Sequence, residues 1–194
     1  MFKFGKNKKI GSLDFLAIGD VVIDDFIELS DVRIDTDPDE GDGGSDEICF
    51  RFGDKIEFDS SIVVPAVGNS SNAAVSAHRL GLNTASYTNV GDDKRGQEVL
   101  DAIKDEGMTT DYVNVQSGKS TNYHYVLRFG PERTILVRHE DYDYKLPDFK
   151  TPPRYIYFSS IGEKAVDFHR EVADYCNANE TKLVFQPGTF QIKL

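Results

Sequence analysis

Short strand-like segments alternate along this chain with stretches of helical periodicity, and that alternation constrains the fold more than any other feature. LDFLAI (13 to 18), NTASYTNV (83 to 90), YIYFSS (155 to 160) and KLVFQ (182 to 186) read as strands. Between them lie a helix opening after Val67 and the helical segments GQEVLDAIKDEG (96 to 107) and EKAVDFHREVADYCNAN (163 to 179). In the last of these Ala165, Phe168, Val172, Tyr175 and Cys176 share one stripe. In the middle one Val99, Leu100 and Ile103 do so before Gly107 ends it. Helices with a single apolar stripe, placed between buried strands, imply a parallel sheet joined by right-handed crossovers. LDFLAI, apolar but for Asp14 and stopped by Gly19, belongs at the centre of that sheet.

A second periodicity interrupts the first. FIELSDVRI alternates as an extended strand with one wet face. ICFRFGDKIEF (48 to 58) predicts a hairpin turning at Gly53-Asp54, and TNYHYVLRF with RTILVRH predicts another about Gly130-Pro131-Glu132. The expected architecture is therefore α/β, a parallel sheet flanked by helices in three layers, with a small antiparallel β lid. Lid strands are expected within about residues 26–64 and 120–140, and a basic tail over residues 1–12 precedes the domain, which occupies 13–194. DTDPDEGDGGSDE (35 to 47) places seven acids and three glycines in thirteen positions and reads as a solvated loop. Asp35, Asp37 and Asp39 have the first spacing of a calcium loop, but Glu40 stands where the glycine is required and Pro38 stiffens the turn.

Composition excludes several classes. The 194 residues carry a formal charge of -11, which argues against nucleic-acid binding, since phosphate backbones need a basic face and the lysines cluster only in MFKFGKNKKI. A small anionic ligand needs only a local site and stays open. No apolar stretch follows the tail, so neither a membrane span nor a secretory signal is expected and the cytoplasm is the expected compartment. Cys49 and Cys176 match no disulfide framework, and His78, His124, His139 and His169 form no ligand-spaced pair, so no metal site is predicted.

Two stretches hold polar chemistry beyond what folding asks for. In VGNSSNAAVSAHRLG (67 to 81), Asn69, Ser70 and Ser71 can each cap a helix, which leaves Asn72 as surplus. Asn69 and Asn72 are three residues apart and share one side of the N-terminus. An amide both donates and accepts, which suits the hydroxyls of a polyol; capping and tight packing through Ala73, Ala74, Ala77 and Leu80 is the competing explanation. In GDVVIDD, Asp24 and Asp25 follow the first strand, where open parallel sheets place ligands, or else sit in a solvated turn.

Taken together these stretches resemble the PfkB, or ribokinase-like, family of ATP-dependent sugar and nucleoside kinases. The first strand runs into Gly19 with Asp24 five residues on. VGNSSNAAVSAHRLG resembles the GGxxxNxAxxxxxLG signature, TNVGDDKRGQEVLDAIKDEGM the VGxDxxGxxxxxxLxxxGV segment, FGPERTIL the GERTI hairpin, and FQPGT the strand ending in NPG. The resemblance implies a ribokinase-like fold in which Asp24, Gly68, Asn69 and Asn72 bind substrate hydroxyls beneath the lid. Val67 replaces the first glycine of the usual pair, and Asn69 stands where ribokinases have lysine.

The family's DTxGAGD motif, which carries the catalytic aspartate and the phosphoryl-oxygen donors, has no match here. With FQPGTFQIKL ending just past a strand, the expectation is a domain lacking its C-terminal half, with no catalytic residue among these 194 and no turnover by them alone. ATP and Mg2+ are implied for a complete member, and a homodimer through the lid is implied as well. The alternative is a non-catalytic sugar-binding or assembly module on the same truncated fold.

Overall fold

The computed structural model describes residues 12–35 and 46–193. The strands are, in chain order, β1 (Phe15–Ile18), β2 (Val22–Leu29), β3 (Arg33–Asp35), β4 (Glu47–Cys49), β5 (Phe58–Val67), β6 (Thr84–Gly91), β7 (Val113–Gln116), β8 (Tyr123–Phe129), β9 (Glu132–Arg138), β10 (Tyr155–Phe158) and β11 (Lys182–Phe185). Helix α1 (Asn69–Arg79) follows β5, α2 (Lys94–Asp105) follows β6, and α3 (Val166–Ala178) follows β10 after a short 3-10 turn at Glu163–Ala165. The chain divides into two compact units, the second comprising Asp24–Val64 and Tyr123–Arg138 and the first the remainder.

The first unit is built on a five-stranded sheet ordered β11-β10-β1-β6-β7. All four pairings are parallel, with Leu16 opposite both Ile156 and Ala85. The apolar run FLAI within LDFLAI is thus the middle strand, as expected. Parallel neighbours need crossover connections; α1 lies on the path from β1 to β6, α2 joins β6 to β7 and α3 joins β10 to β11, while the chain passes from β7 to β10 through β8 and β9. Burial on α3 falls on Phe168, Val172 and Cys176, the stripe read from the sequence, and on α2 it falls on Val99 and Ile103. These side chains close the core: Phe168 stacks on Tyr87 at 5.7 Å and meets Phe158 edge-on at 6.0 Å, with Leu16, Ile18 and Ile156 around them. β7, the sheet's outer strand, has no counterpart in the expectations; its four residues are half-buried at the ends and exposed between, with no alternation to mark a strand.

The second unit contains a four-stranded sheet ordered β5-β2-β8-β9 and a separate two-stranded sheet of β3 and β4. β8 and β9 form the expected antiparallel hairpin, from Tyr123 opposite Arg138 to Phe129 opposite Glu132. The hairpin expected over residues 48 to 58 does not form. β4 pairs instead with β3, Arg33 opposite Cys49, and β5 pairs with β2. A turn is present where predicted, closed by the Arg51 N–H donating to Asp54 Oδ2 at 3.1 Å, but the two arms leave it for different sheets. Local turn chemistry was right and the long-range partner wrong.

A second correction concerns GDVVIDD. It is not a solvated turn: β2 begins at Val22, so Asp24 and Asp25 are strand residues. The basic tail and most of the acidic stretch 35–47 considered for calcium lie outside the described residues. Among the described residues no helix is long and apolar enough to cross a membrane.

Phe168→Ala removes the ring that ties α3 to β6 and β10. We expect a loss of about 3 to 5 kcal/mol in unfolding free energy, measured by urea denaturation.

Candidate functional site

In the first unit the site is set by how closely the end of β1 approaches the start of α1. Gly68 caps α1 with φ 124°, a conformation that glycine alone adopts readily, and a Cβ there would stand 2.8 Å from the Asp20 carbonyl oxygen. Gly19 is equally confined, since a Cβ would lie 2.9 Å from both the Ser160 carbonyl and the Ser70 side chain. Two residues before Gly68, Ala66 also has positive φ, at 58°, and the Ser71 hydroxyl donates to its carbonyl. Two left-handed residues within three positions turn the strand sharply into the helix.

This geometry changes the reading of the opening helix. The cap is Gly68, with no side-chain cap bond, so Asn69, Ser70 and Ser71 do not cap it. Ser70 and Ser71 are instead buried on the face that carries Ala74 and Ala77, while Leu80, expected on that face, is 82% exposed. Leu80 is the C-cap, one residue past the end of the helix, and the chain leaves through Gly81 as predicted. Asn69 and Asn72 are both exposed in the first turn. Asn69 Nδ2 donates to the Ser160 hydroxyl at 3.4 Å, and the Asn72 backbone N–H closes the first helical bond on the Gly68 carbonyl at 2.9 Å. Gly68, Asn69 and Asn72 therefore stand together beside Gly19-Asp20.

Asp20 was not singled out from the sequence. It is 7% exposed, its N–H donates to the Ser160 carbonyl at 2.8 Å, and both carboxylate oxygens accept from the Tyr144 hydroxyl, at 2.9 and 3.1 Å. Burial raises its pKa from 3.8 to about 6, against the lowering effect of the bonds from Tyr144 and the Gly162 N–H. Burial and the adjacent carboxylate together push the Tyr144 hydroxyl far above its ordinary value. The available signal was its place immediately after Gly19 at the end of the central strand.

Asp24 belongs to the second unit. Because adjacent strand residues face opposite ways, it and Asp25 occupy opposite faces of the sheet. Asp25 is consumed by structure: Ser61 of β5 donates to one carboxylate oxygen and the Tyr123 hydroxyl of β8 to the other at 3.1 Å, which ties the strands on both sides of β2. Asp24 faces His124, with Oδ1 3.3 Å from Nδ1. Desolvation raises Asp24 and lowers His124, and each opposes the other's shift by attraction. His124 also escaped the sequence reading, since a lone histidine in a strand carries no motif.

No group of three or more His, Cys, Asp or Glu able to hold a metal ion occurs among the described residues. Among the described residues there is thus no cage of that kind for Mg2+, and residues 1–194 contain no GAGD sequence.

A parallel sheet flanked by helices, a small antiparallel sheet, and a glycine-capped helix at the end of the central strand define a ribokinase-like α/β protein. The description "pfkB family carbohydrate kinase" matches residues 45–188, and the chain belongs to that family. It is 29% identical over 146 residues to the ribokinase of Bacillus subtilis (strain 168), a match covering 71% of this chain and 48% of the relative. Among solved structures, the Methanocaldococcus jannaschii nucleoside kinase matches with a TM-score of 0.70 at 14% identity, over 95% of this chain and 56% of that one. An Arabidopsis thaliana ribokinase complexed with ribose and ATP matches with a TM-score of 0.68 at 14% identity, over 90% and 53%. The chain thus spans about half the length of the proteins it matches.

Gly68→Ala is expected to destabilise the first unit by about 2 to 4 kcal/mol in denaturant melts, through backbone strain and the contact with Asp20 together. Asp20 is expected to make stability pH-dependent. A carboxyl held above its ordinary value binds its proton more tightly folded than unfolded. Its contribution is thus complete below about pH 4 and lost as pH rises through about 6. Relative to Asp20→Asn, the native protein should lose on the order of 3 kcal/mol across that window, read from urea melts at a series of pH values.

Proposed function

We propose that these residues form the substrate-binding half of a PfkB-type kinase that transfers a phosphoryl group from ATP, with Mg2+, to a hydroxymethyl group of a sugar or nucleoside. The observation that carries this reading is the α1 N-terminus, where Asn69 and Asn72 stand exposed side by side on a helix start that Gly68 holds against Asp20. Packing does not account for two exposed amides there, and amides match hydroxyls that both donate and accept. The resemblance assigns hydroxyl binding to Asp24 of the second unit as well, and a hydrogen bond to a carboxylate contributes about 1.5 to 3 kcal/mol. Family membership and neighbours that include a ribokinase complexed with ribose and ATP support the substrate class.

The chain's own residues bind and orient the acceptor; they do not transfer the phosphoryl group. Phosphoryl transfer depends on charge stabilisation and a positioned base. The motif that the resemblance assigns to those tasks is absent from residues 1–194, so these residues alone are inactive toward ATP. The protein acts in the cytoplasm. β9 supports a homodimer: it is the outer strand of its sheet and is exposed along all seven residues, Glu132–Arg138.

Calorimetric titration with D-ribose, D-fructose and adenosine tests the reading. At least one probe should bind. Asp24→Ala and Asn72→Ala should each weaken that binding about tenfold or more without changing the melting temperature by more than a few degrees. A chain used only for assembly would give no heat with any probe, and equal binding by both variants would assign those residues to structure.

A further inference from the structure

We propose that Asn122 is a positioning residue for the polyol site: its buried amide fixes the register in which β2 begins, so that Asp24 rather than Asp25 takes the ligand-binding place on the strand. The inference rests on the reading of Asp24 as a hydroxyl-binding carboxylate, and it deepens that reading by naming what sets the acid in place.

The side-chain pattern does not set that register. A slip of one residue turns every side chain of a strand to the opposite face. In VVIDD (21 to 25) such a slip puts valine in place of valine and aspartate in place of aspartate. Neither pair distinguishes the two arrangements, so polar contacts must. In the second unit Asp25 is held by Ser61 and by the Tyr123 hydroxyl. In the first unit the residues just before Asp24 are held by Asn122, with the Thr88 hydroxyl accepting the Val21 N–H at 3.0 Å.

Asn122 is 1% exposed. Its Nδ2 donates to the Val21 carbonyl at 3.2 Å, its own carbonyl accepts the Ile23 N–H at 3.2 Å, and its Oδ1 accepts the Glu140 N–H at 2.7 Å. A carbonyl only accepts and a backbone N–H only donates, so these partners fix which way the amide points. One residue thus grips β2 at Val21 and Ile23, and Asp24 is the next in the chain. Peptide groups of successive strand residues point to opposite edges, so a slip of one residue turns both partners away and leaves a buried amide unpaired. Asn122 is itself held through VGDDKRG (90 to 96). Asp93, which caps α2 by accepting the Gly96 N–H at 2.8 Å, also accepts from the N–H and the hydroxyl of Thr121, at 2.9 and 2.6 Å. The Gly91 N–H donates to the same hydroxyl at 3.1 Å, and a Cβ on Gly91 would overlap the Lys119 carbonyl oxygen. That stretch therefore acts on β2 through Thr121 and Asn122.

The test is a double-mutant cycle on the 194-residue chain that combines Asn122→Ala with Asp24→Ala. Affinity is read by calorimetry with D-ribose, D-fructose and adenosine, and stability by urea denaturation. Asn122→Ala should weaken binding about tenfold in the native background and less than about twofold once Asp24 is alanine, while its loss of stability is the same in both. A purely structural residue would lower stability without that coupling in affinity. Native affinity in Asn122→Ala, or an equal loss of affinity in both backgrounds, overturns the role of Asn122 while leaving Asp24 as a ligand. No heat from the native protein with any of the three probes, or native affinity in Asp24→Ala, overturns the reading of Asp24, and this inference with it. Should Asn122→Ala fail to fold, Thr121→Val removes only the hydroxyl bonds and decides the matter through the same cycle. It should weaken binding about threefold in the native background and not at all beside Asp24→Ala; the same effect in both backgrounds overturns the inference.

Discussion

The structure of the first unit depends on one close backbone approach. The strand that runs through Ile18 to Gly19 and Asp20 passes so near the start of α1 that neither Gly19 nor Gly68 has room for a side chain. Everything at that junction follows from the approach. Small residues, Ser70, Ser71, Ala74 and Ala77, form the buried side of the helix because nothing larger fits between it and the sheet. Asn69 and Asn72 are then turned outward, and Asp20 is shut in against Tyr144 and the Ser160 carbonyl. A buried carboxyl with a raised pKa is a cost that the fold tolerates because it links three separated stretches of chain at one point.

In the second unit the corresponding constraint is strand alternation. Two consecutive aspartates would be near-equivalent in a turn. In a strand one faces each way, and their surroundings diverge completely: Asp25 is held by hydroxyls from both neighbouring strands, whereas Asp24 meets a single imidazole. The proposed division of labour between a structural acid and a ligand-binding acid follows from that alternation.

Much of the first unit was legible because its signals are local. Amphipathic stripes on α2 and α3, the apolar run of β1 and the glycines that end helices each depend on a few neighbouring residues, and all are found where the sequence puts them. The misreadings share the opposite property. ICFRFGDKIEF has correct turn chemistry, yet its arms pair with β3 and β2 across long separations in sequence. Asn69 and the two serines look like caps by type, but the cap is a glycine whose conformation is imposed by contact with Asp20. Leu80 fits the apolar face by spacing and lies outside it because it is the C-cap, one residue past the end of the helix.

By itself, then, the sequence determined the alternation of strands and helices, the parallel sheet with β1 at its middle, the hairpin of β8 and β9, and membership of the pfkB family through ordered motifs. These follow from periodicity and short spacings, which one chain carries in full. Only the tertiary structure decided that Asp20 is buried beneath Tyr144, that Asp25 is a tie and Asp24 is not, and that His124 stands beside Asp24. Those facts are contacts between residues about a hundred positions apart. No local pattern encodes them, because they arise only when sheet order and strand register have been set.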